Sequence, residues 1–327
     1  MKKVVIYILT ACTSFIACKK ITEGFLSDTI RYTTPDLYCQ RGLALVQSDK
    51  ISLDGSTPPV TFEMMNLRDS SGEKLPEAFS TKYESTVFKT GQTFNVDTDT
   101  TIALLNEKRE TINVEPMEFN TISGQLTFNR GSTNIPLGIY NFDIQATNRN
   151  GTKFYPSFGS IHVIDPTDDD MFLQEDNVNN AFADLDGAVT AVKNPKLTFT
   201  KVSSEGARII LKIVDKNGNP FNPSAGEIIR RGDRPTFENY ARFNPVVFTD
   251  TAMVCDFEVA PFPLAPYKDA NGTNWNHLIY YRIPSNHITI DGLADGKYSA
   301  NPRFAFTIKL EGTFIVQLQL TDAVRKE

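Results

Sequence analysis

The chain is poor in the residues that build catalytic and metal centres. It holds three histidines, four cysteines and one tryptophan among 327 residues. No two of His162, His277 and His287 stand at metal-binding spacing, and no Cys-x-x-Cys occurs, so a zinc knuckle and a thioredoxin-like site are both excluded. Gly-x-Ser-x-Gly and the phosphate-binding P-loop are missing as well. Carboxylates are plentiful, yet their spacing singles out no glycosidase-like pair. The three histidines therefore read as structural, and the chain reads as a non-enzyme without metal or cofactor.

Positive charge is also in short supply. Lys and Arg number 33 against 39 Asp and Glu, a net charge of −6. A nucleic-acid partner needs a basic face, so none is expected. The apolar run from Val4 to Ala17 is shorter than the roughly 20 residues that a membrane-spanning helix requires. It follows Lys2 and Lys3 and ends on Ser14-Phe15-Ile16-Ala17-Cys18, the order of a secretory signal peptide over residues 1–17.

A cut placed directly before a cysteine resembles the bacterial lipobox, with Phe15 where leucine is usual. The resemblance implies a diacylglycerol anchor on Cys18 and a place on the outer membrane, at the cell surface or the periplasmic face. Leu9-Thr10-Ala11-Cys12 matches the pattern more closely, but cleavage there leaves a very short apolar region. The other reading is an ordinary signal peptide with an incidental cysteine. Cys39 and Cys255 remain. An exported chain permits a disulfide between them, but their separation favours two buried free thiols.

What remains after cleavage is long enough for two domains of about 150 residues each. Phe 23 and Tyr 11 point to strand-rich packing. Residues 18–36 read as a lipid-anchored tether, because Lys19-Lys20 is polar and Tyr32-Thr33-Thr34-Pro35-Asp36 is turn-like. Residues 37–165 read as the first β-sandwich. Its clearest strand runs from Ile139 to Thr147, with Tyr140, Phe142, Ile144 and Ala146 on one face. Asn148-Arg149-Asn150-Gly151 then supports a tight hairpin. A short helix is expected over Thr100 to Arg109, capped by Thr100.

Asp165-Pro166 followed by Asp168-Asp169-Asp170 marks a boundary, and 166–192 reads as a linker with a short helix near Asn179 to Leu185. Those aspartates lack the alternating ligands and the glycine of a calcium loop. The second β-sandwich spans 193–327, with strands at Leu197–Thr200 and Ala207–Val214 and a turn around Gly218. Alternation from Arg303 to Leu310 and from Phe314 to Thr321, split by Glu311-Gly312-Thr313, predicts a closing hairpin with one dry face.

Two resemblances follow. Gly138-Ile139-Tyr140-Asn141-Phe142-Asp143-Ile144-Gln145-Ala146-Thr147-Asn148 is similar to a strand of bacterial immunoglobulin-like and cadherin-like domains. It implies an immunoglobulin-like first domain whose tyrosine hydroxyl returns to the backbone. Lipobox, tether and tandem β-rich domains together resemble the accessory outer-membrane lipoproteins of glycan-utilisation systems, of the SusE and SusF type. Gly24-Phe25-Leu26-Ser27-Asp28, Arg41-Gly42 and Leu53-Asp54-Gly55-Ser56-Thr57-Pro58-Pro59 resemble a family of uncharacterised lipoproteins from such bacteria. These likenesses imply a non-catalytic protein that binds a poly- or oligosaccharide as an accessory to uptake. The alternative is a structural or docking lipoprotein whose partner is an outer-membrane transporter complex.

Sugar sites set an aromatic ring against the apolar face of the ligand, with hydrogen-bonding groups beside it. Phe262 to Arg282 is the stretch where rings and polar residues interleave. Trp275, Tyr280, Tyr267, Asn274 and Arg282 are the candidate glycan-binding residues. Trp275 shares parity with His277, Ile279, Tyr281 and Ile283, so a strand beginning at 275 turns its ring inward and leaves Tyr280 and Arg282 outward.

Overall fold

Period-two alternation organises both halves of the chain, and the computed structural model is all-β, of β-sandwich type. It describes residues 24–73, 77–175 and 178–326. The signal peptide and Cys18 lie outside them. The chain forms two compact units. One joins the residues up to Tyr83 to Val114–Asp165, and the other joins Glu84–Asn113 to Pro166–Glu327.

As far as Asp165 the strands are β1 (Asp36–Gln40), β2 (Val46–Gln47), β3 (Thr61–Asp69), β4 (Tyr83–Phe88), β5 (Arg109–Val114), β6 (Met117–Phe119), β7 (Leu126–Phe128), β8 (Gly138–Asn148) and β9 (Gly151–Ile164). The first unit packs a sheet of order β1-β9-β8-β3 against one of order β2-β7-β6. Among the described residues of these two sheets only β1 and β9 run parallel. Leu37, Cys39, Phe62, Phe142, Ile144 and Ile161 of the larger sheet meet Leu126 and Phe128 of the smaller. Each large side chain so buried contributes about 1.5–3 kcal/mol.

β8 buries Tyr140, Phe142, Ile144 and Ala146, as its alternation requires. The Tyr140 hydroxyl donates to the Pro136 carbonyl at 2.9 Å. Asn148 pairs with Gly151, leaving Arg149-Asn150 as a two-residue turn. Asp143 departs from the pattern. It points away from the core and is nevertheless buried, where bulges in β3 and β8 gather Asn66, Arg68 and the Ser157 amide around its carboxylate. The tether reading needs correction over its described part. Ile30 and Tyr32 alternate into the core, and the Tyr155 hydroxyl donates to the Ser27 carbonyl at 2.6 Å. Polar neighbours hid those two apolar residues in the sequence.

The second unit also takes in the β4–β5 pair and helix α1 (Ile102–Glu107), capped by Thr101 instead of Thr100. Within the unit Phe94 meets Phe243 edge-on at 6.5 Å, and Arg242 lies over Phe94 and donates to the Val96 carbonyl at 2.9 Å. After Pro166 come helix α2 (Asp168–Met171), β10 (Phe172–Leu173), β11 (Asn179–Ala183), β12 (Val189–Lys193), β13 (Lys196–Ser203), β14 (Ala207–Val214), β15 (Ile229–Arg230) and β16 (Val247–Phe248). Then follow β17 (Met253–Asp256), β18 (Leu278–Arg282), β19 (Ile288–Ile290), β20 (Ser299–Ala305), β21 (Thr307–Ile308), β22 (Gly312–Gln319) and β23 (Ala323–Arg325).

Two five-stranded sheets, β12-β11-β20-β18-β15 and β13-β22-β14-β17-β16, carry the core between them. Residues 166–192 are thus no linker. The aspartate run opens α2 through a Thr167–Asp170 capping box, and Asn179–Ala183 is a strand, because β20 and β12 flank it on both edges. The closing hairpin also needs correction. Phe304, Phe306, Phe314, Val316 and Leu318 are buried as expected, but β20 pairs with β18 and β11 while β22 lies between β13 and β14. A strand that crosses from one sheet to the other keeps its dry face inward, so alternation alone does not distinguish this arch from a hairpin. Gly312 makes the crossing close. Its φ is +145°, and a Cβ there would lie 2.7 Å from the Ser203 carbonyl oxygen.

Candidate functional sites

β18 begins at Leu278, later than Trp275. Ile279, Tyr281 and Ile283 face the core, and Tyr280 and Arg282 occupy the opposite face of the sheet. Tyr280 is nonetheless only 4% exposed. The Arg234 guanidinium lies 5.0 Å above its ring, and Trp275 meets it edge-on at 5.7 Å. Tyr280 is therefore covered and supplies no open platform. Trp275 is half-buried, and its indole N–H donates to Asp269 at 3.0 Å. Asp269 also accepts the amides of Asn271 and Thr273, so its carboxylate closes a turn. The indole N–H in particular holds that carboxyl below its usual range.

Asn274 is exposed on this turn. Half-buried Tyr267 starts the turn and packs edge-on against Tyr240 at 6.2 Å. The five predicted residues thus share one turn and the strand after it, but only the rings of Trp275 and Tyr280 touch.

Sequence reasoning missed the arginines beside them. The loop after β15 brings Arg231 and Arg234 to the Tyr280 face. Arg282 donates through Nε to Asn301 at 3.0 Å. Asn301 is 0% exposed, and its amide is fixed by the carbonyls of Ala181 and Ser299. Burial, followed by the charges of Arg234 and Arg282, pushes Arg231 below the usual arginine range. The signal was present as Arg230-Arg231-Gly232-Asp233-Arg234. Its position in a long, proline-punctuated stretch concealed which strand it served.

The first unit carries a second surface, also missed. Tyr38 lies on the polar side of β1 and is 52% exposed. Its ring stacks at a tilt on His162, 4.9 Å away across the parallel pair. Beside it opens a cleft of about 220 Å³ lined by Asp36, Gln47, Ser48 and Asp49, with Leu37 and Phe128 as apolar lining. The signal was Asp36, Tyr38 and Gln40 alternating with Leu37 and Cys39.

Asp36, Ser160 and His162 meet at the same place. Ser160 Oγ donates to Asp36 at 2.7 Å and lies 3.2 Å from His162 Nε2, which is 3.5 Å from the same carboxylate oxygen. In a nucleophilic triad the acid and the nucleophile occupy opposite imidazole nitrogens. Here both meet Nε2, so Asp36 holds the serine directly and does not orient the ring as a base.

His277 pairs through Nδ1 with Glu175, and His287 contacts Asn286 at 3.0 Å. In the stretch from Asn222 to Pro266, Asp256 forms a two-point pair with Arg208, and Glu258 accepts from Asn244. The cavity beside them holds about 20 Å³. Among the described residues no group of three or more His, Cys, Asp or Glu is arranged to hold a metal ion. Cys39 and Cys255 are free and buried, and burial pushes both thiols up to about 12. No family model matches the chain, and no curated protein is similar enough to count as a relative.

Proposed function

We propose that the chain is a non-catalytic cell-envelope lipoprotein, anchored through Cys18, that binds glycan as an accessory to polysaccharide uptake. The observation that carries this reading is the exposed Tyr38 ring at the edge of a cleft rimmed by Asp36, Gln47, Ser48 and Asp49. A ring supplies the apolar face that a pyranose stacks on, and carboxylates and amides accept and donate to its hydroxyls. The engaged carboxylates between Asn222 and Pro266 and the misdirected Ser160–His162–Asp36 contacts support a binding role over a hydrolytic one. The Tyr140 hydroxyl bonded to Pro136 supports an immunoglobulin-like first unit within this reading.

The test is isothermal titration of the full-length chain in detergent with a panel of neutral oligosaccharides. Tyr38→Ala is expected to weaken a hit by about tenfold, equivalent to about 1.4 kcal/mol, with its thermal midpoint unchanged. Binding that is indifferent to Tyr38→Ala moves the site, and a blank panel removes the support for this function.

One observation favours the docking alternative. β12 ends its sheet and exposes Val189 and Val192, and an open edge strand is a template for another chain. Val192→Lys would blunt that edge. If docking on an outer-membrane complex is the function, this change abolishes co-purification of the complex and leaves sugar titrations untouched.

A further inference from the structure

In a chain of net charge −6, arginines have a ready supply of carboxylates. Arg31, Arg41, Arg68, Arg208 and Arg325 each pair with one. Arg231, Arg234 and Arg282 do not. Among the described residues none of the three lies within ion-pair distance of an acid, although all three are half-buried and close enough to repel one another. Their mutual repulsion costs stability, and the Tyr280 ring under Arg234 and the Asn301 oxygen on Arg282 offset it without neutralising any of the three charges.

The cluster is also held in place. Asn301 is buried with its oxygen on Arg282 Nε, which fixes that guanidinium. Arg234 is stacked on Tyr280, and Trp275 meets the same ring edge-on. Asn274 is exposed on the same turn as the partly open Trp275. Three guanidinium forks, an aromatic edge and an amide therefore converge on one face of one sheet. Guanidinium recognises planar or tetrahedral oxyanions in two-point fashion, which an ammonium does not.

We propose that this face of the second unit is a second glycan site, selective for anionic sugars bearing carboxylate or sulfate groups. The proposal rests on the glycan-binding reading, but it concerns different residues from the Tyr38 cleft. The oxyanion engages Arg231, Arg234 and Arg282, and Trp275 and Asn274 meet the ring that carries it. Ligand binding would relieve the repulsion, so the bound state should be more stable than the free one.

The experiment uses the full-length chain in detergent, with polygalacturonate, the same polymer methyl-esterified, chondroitin sulfate, and inorganic sulfate as probes. Trp275 fluorescence, which arises from the only tryptophan in the chain, reports on this face. Polygalacturonate or chondroitin sulfate should change it, weaken as salt rises, and raise the thermal midpoint. Polygalacturonate carries carboxylates only and chondroitin sulfate carries both groups, so binding of chondroitin sulfate alone assigns the recognition to sulfate. The esterified polymer should bind at least about tenfold more weakly, a difference of about 1.4 kcal/mol.

Arg231→Ala and Arg234→Ala should each lower affinity by about tenfold. Arg231→Ala removes a repelling charge and should leave the midpoint of the free protein equal or higher. Arg234→Ala also uncovers Tyr280 and is judged on affinity, with Arg234→Lys keeping the charge but not the two-point fork. A variant that lowers the midpoint and spares affinity would give the arginines a structural role and overturn the proposal. Equal binding of charged and esterified polymer, or of neutral glycans through Tyr38 alone, would overturn it and leave the glycan-binding reading standing. Equal response to inorganic sulfate would reduce the face to a simple anion site and overturn its sugar selectivity. Failure of every charged and neutral glycan would remove both proposals.

Discussion

On the first unit the wet side of the β1–β9 pair carries Asp36, Ser160 and His162, with Tyr38 open at its edge. On the second unit the corresponding side of β18 and β20 carries Arg282 and Arg303 around a tyrosine that an arginine and a tryptophan cover. Both tyrosines sit on the polar parity of a strand. What differs is the segment that follows or precedes each strand, and the sign of the charge it brings. The strand sets which way a ring points, and the loops decide whether solvent reaches it.

The units also differ in how each holds a buried acid. Asp143 in the first accepts from Asn66 and the Ser157 amide, both at 2.8 Å, and from Arg68 at 3.1 Å. Glu227 in the second relies on a two-point pair with Arg325, at 2.6 and 2.7 Å, and on the Asn222 amide. Arg325→Ala strands a buried carboxylate and should cost about 3–5 kcal/mol. Arg68→Ala leaves Asp143 with two donors and should cost about 1–2 kcal/mol. Denaturant titrations decide this; equal losses would break the contrast.

Acid should sharpen it. Burial works against the charged forms of Asp143, Asp215 and Glu227, yet their hydrogen bonds, with Arg68 and Arg325 adding charge for Asp143 and Glu227, hold all three below the usual carboxylate range. A carboxyl whose folded pKa is depressed stabilises above its unfolded value and loses that contribution as pH falls through the folded one. Stability should stay level from neutrality to about pH 5 and drop below about pH 4. The second unit, with two of the three groups, should lose more than the first.

Thiol labelling offers the smallest and most local readout. Cys39 lies in the first unit and Cys255 in the second, and both thiols are raised to about 12 by burial. Neither should react with a thiol reagent under native conditions. In denaturant each reports the opening of its own unit, so Arg325→Ala should advance Cys255 labelling and spare Cys39. Simultaneous labelling would mean that the units open together.

The dry faces were legible in the sequence because burial imposes period two. Tyr140 to Ala146 and Phe314 to Leu320 show it plainly. Pairing was not legible. Phe304 to Leu310 and Phe314 to Leu320 have the same alternation whether they share a sheet or face each other across the core. Short strands inside polar stretches, such as Asn179–Ala183, were hidden because five residues carry little alternation and one of the two partners, β20, lies far along the chain. Of the candidate site, the direction of Tyr280 and Arg282 was readable from parity. The cover over Tyr280 was not, since it comes from a loop more than forty residues upstream.

Glu84–Asn113 sit in the middle of the first unit's sequence and count with the second unit, where Phe94 and Val96 meet Phe243 and Arg242. In genetic terms neither unit is a cassette. A fragment beginning at Pro166 would leave Phe243 and Arg242 without those partners, and one ending at Asp165 would carry the excursion without its packing. Recombination at the obvious boundary would damage both halves, so selection should pass the two units on together.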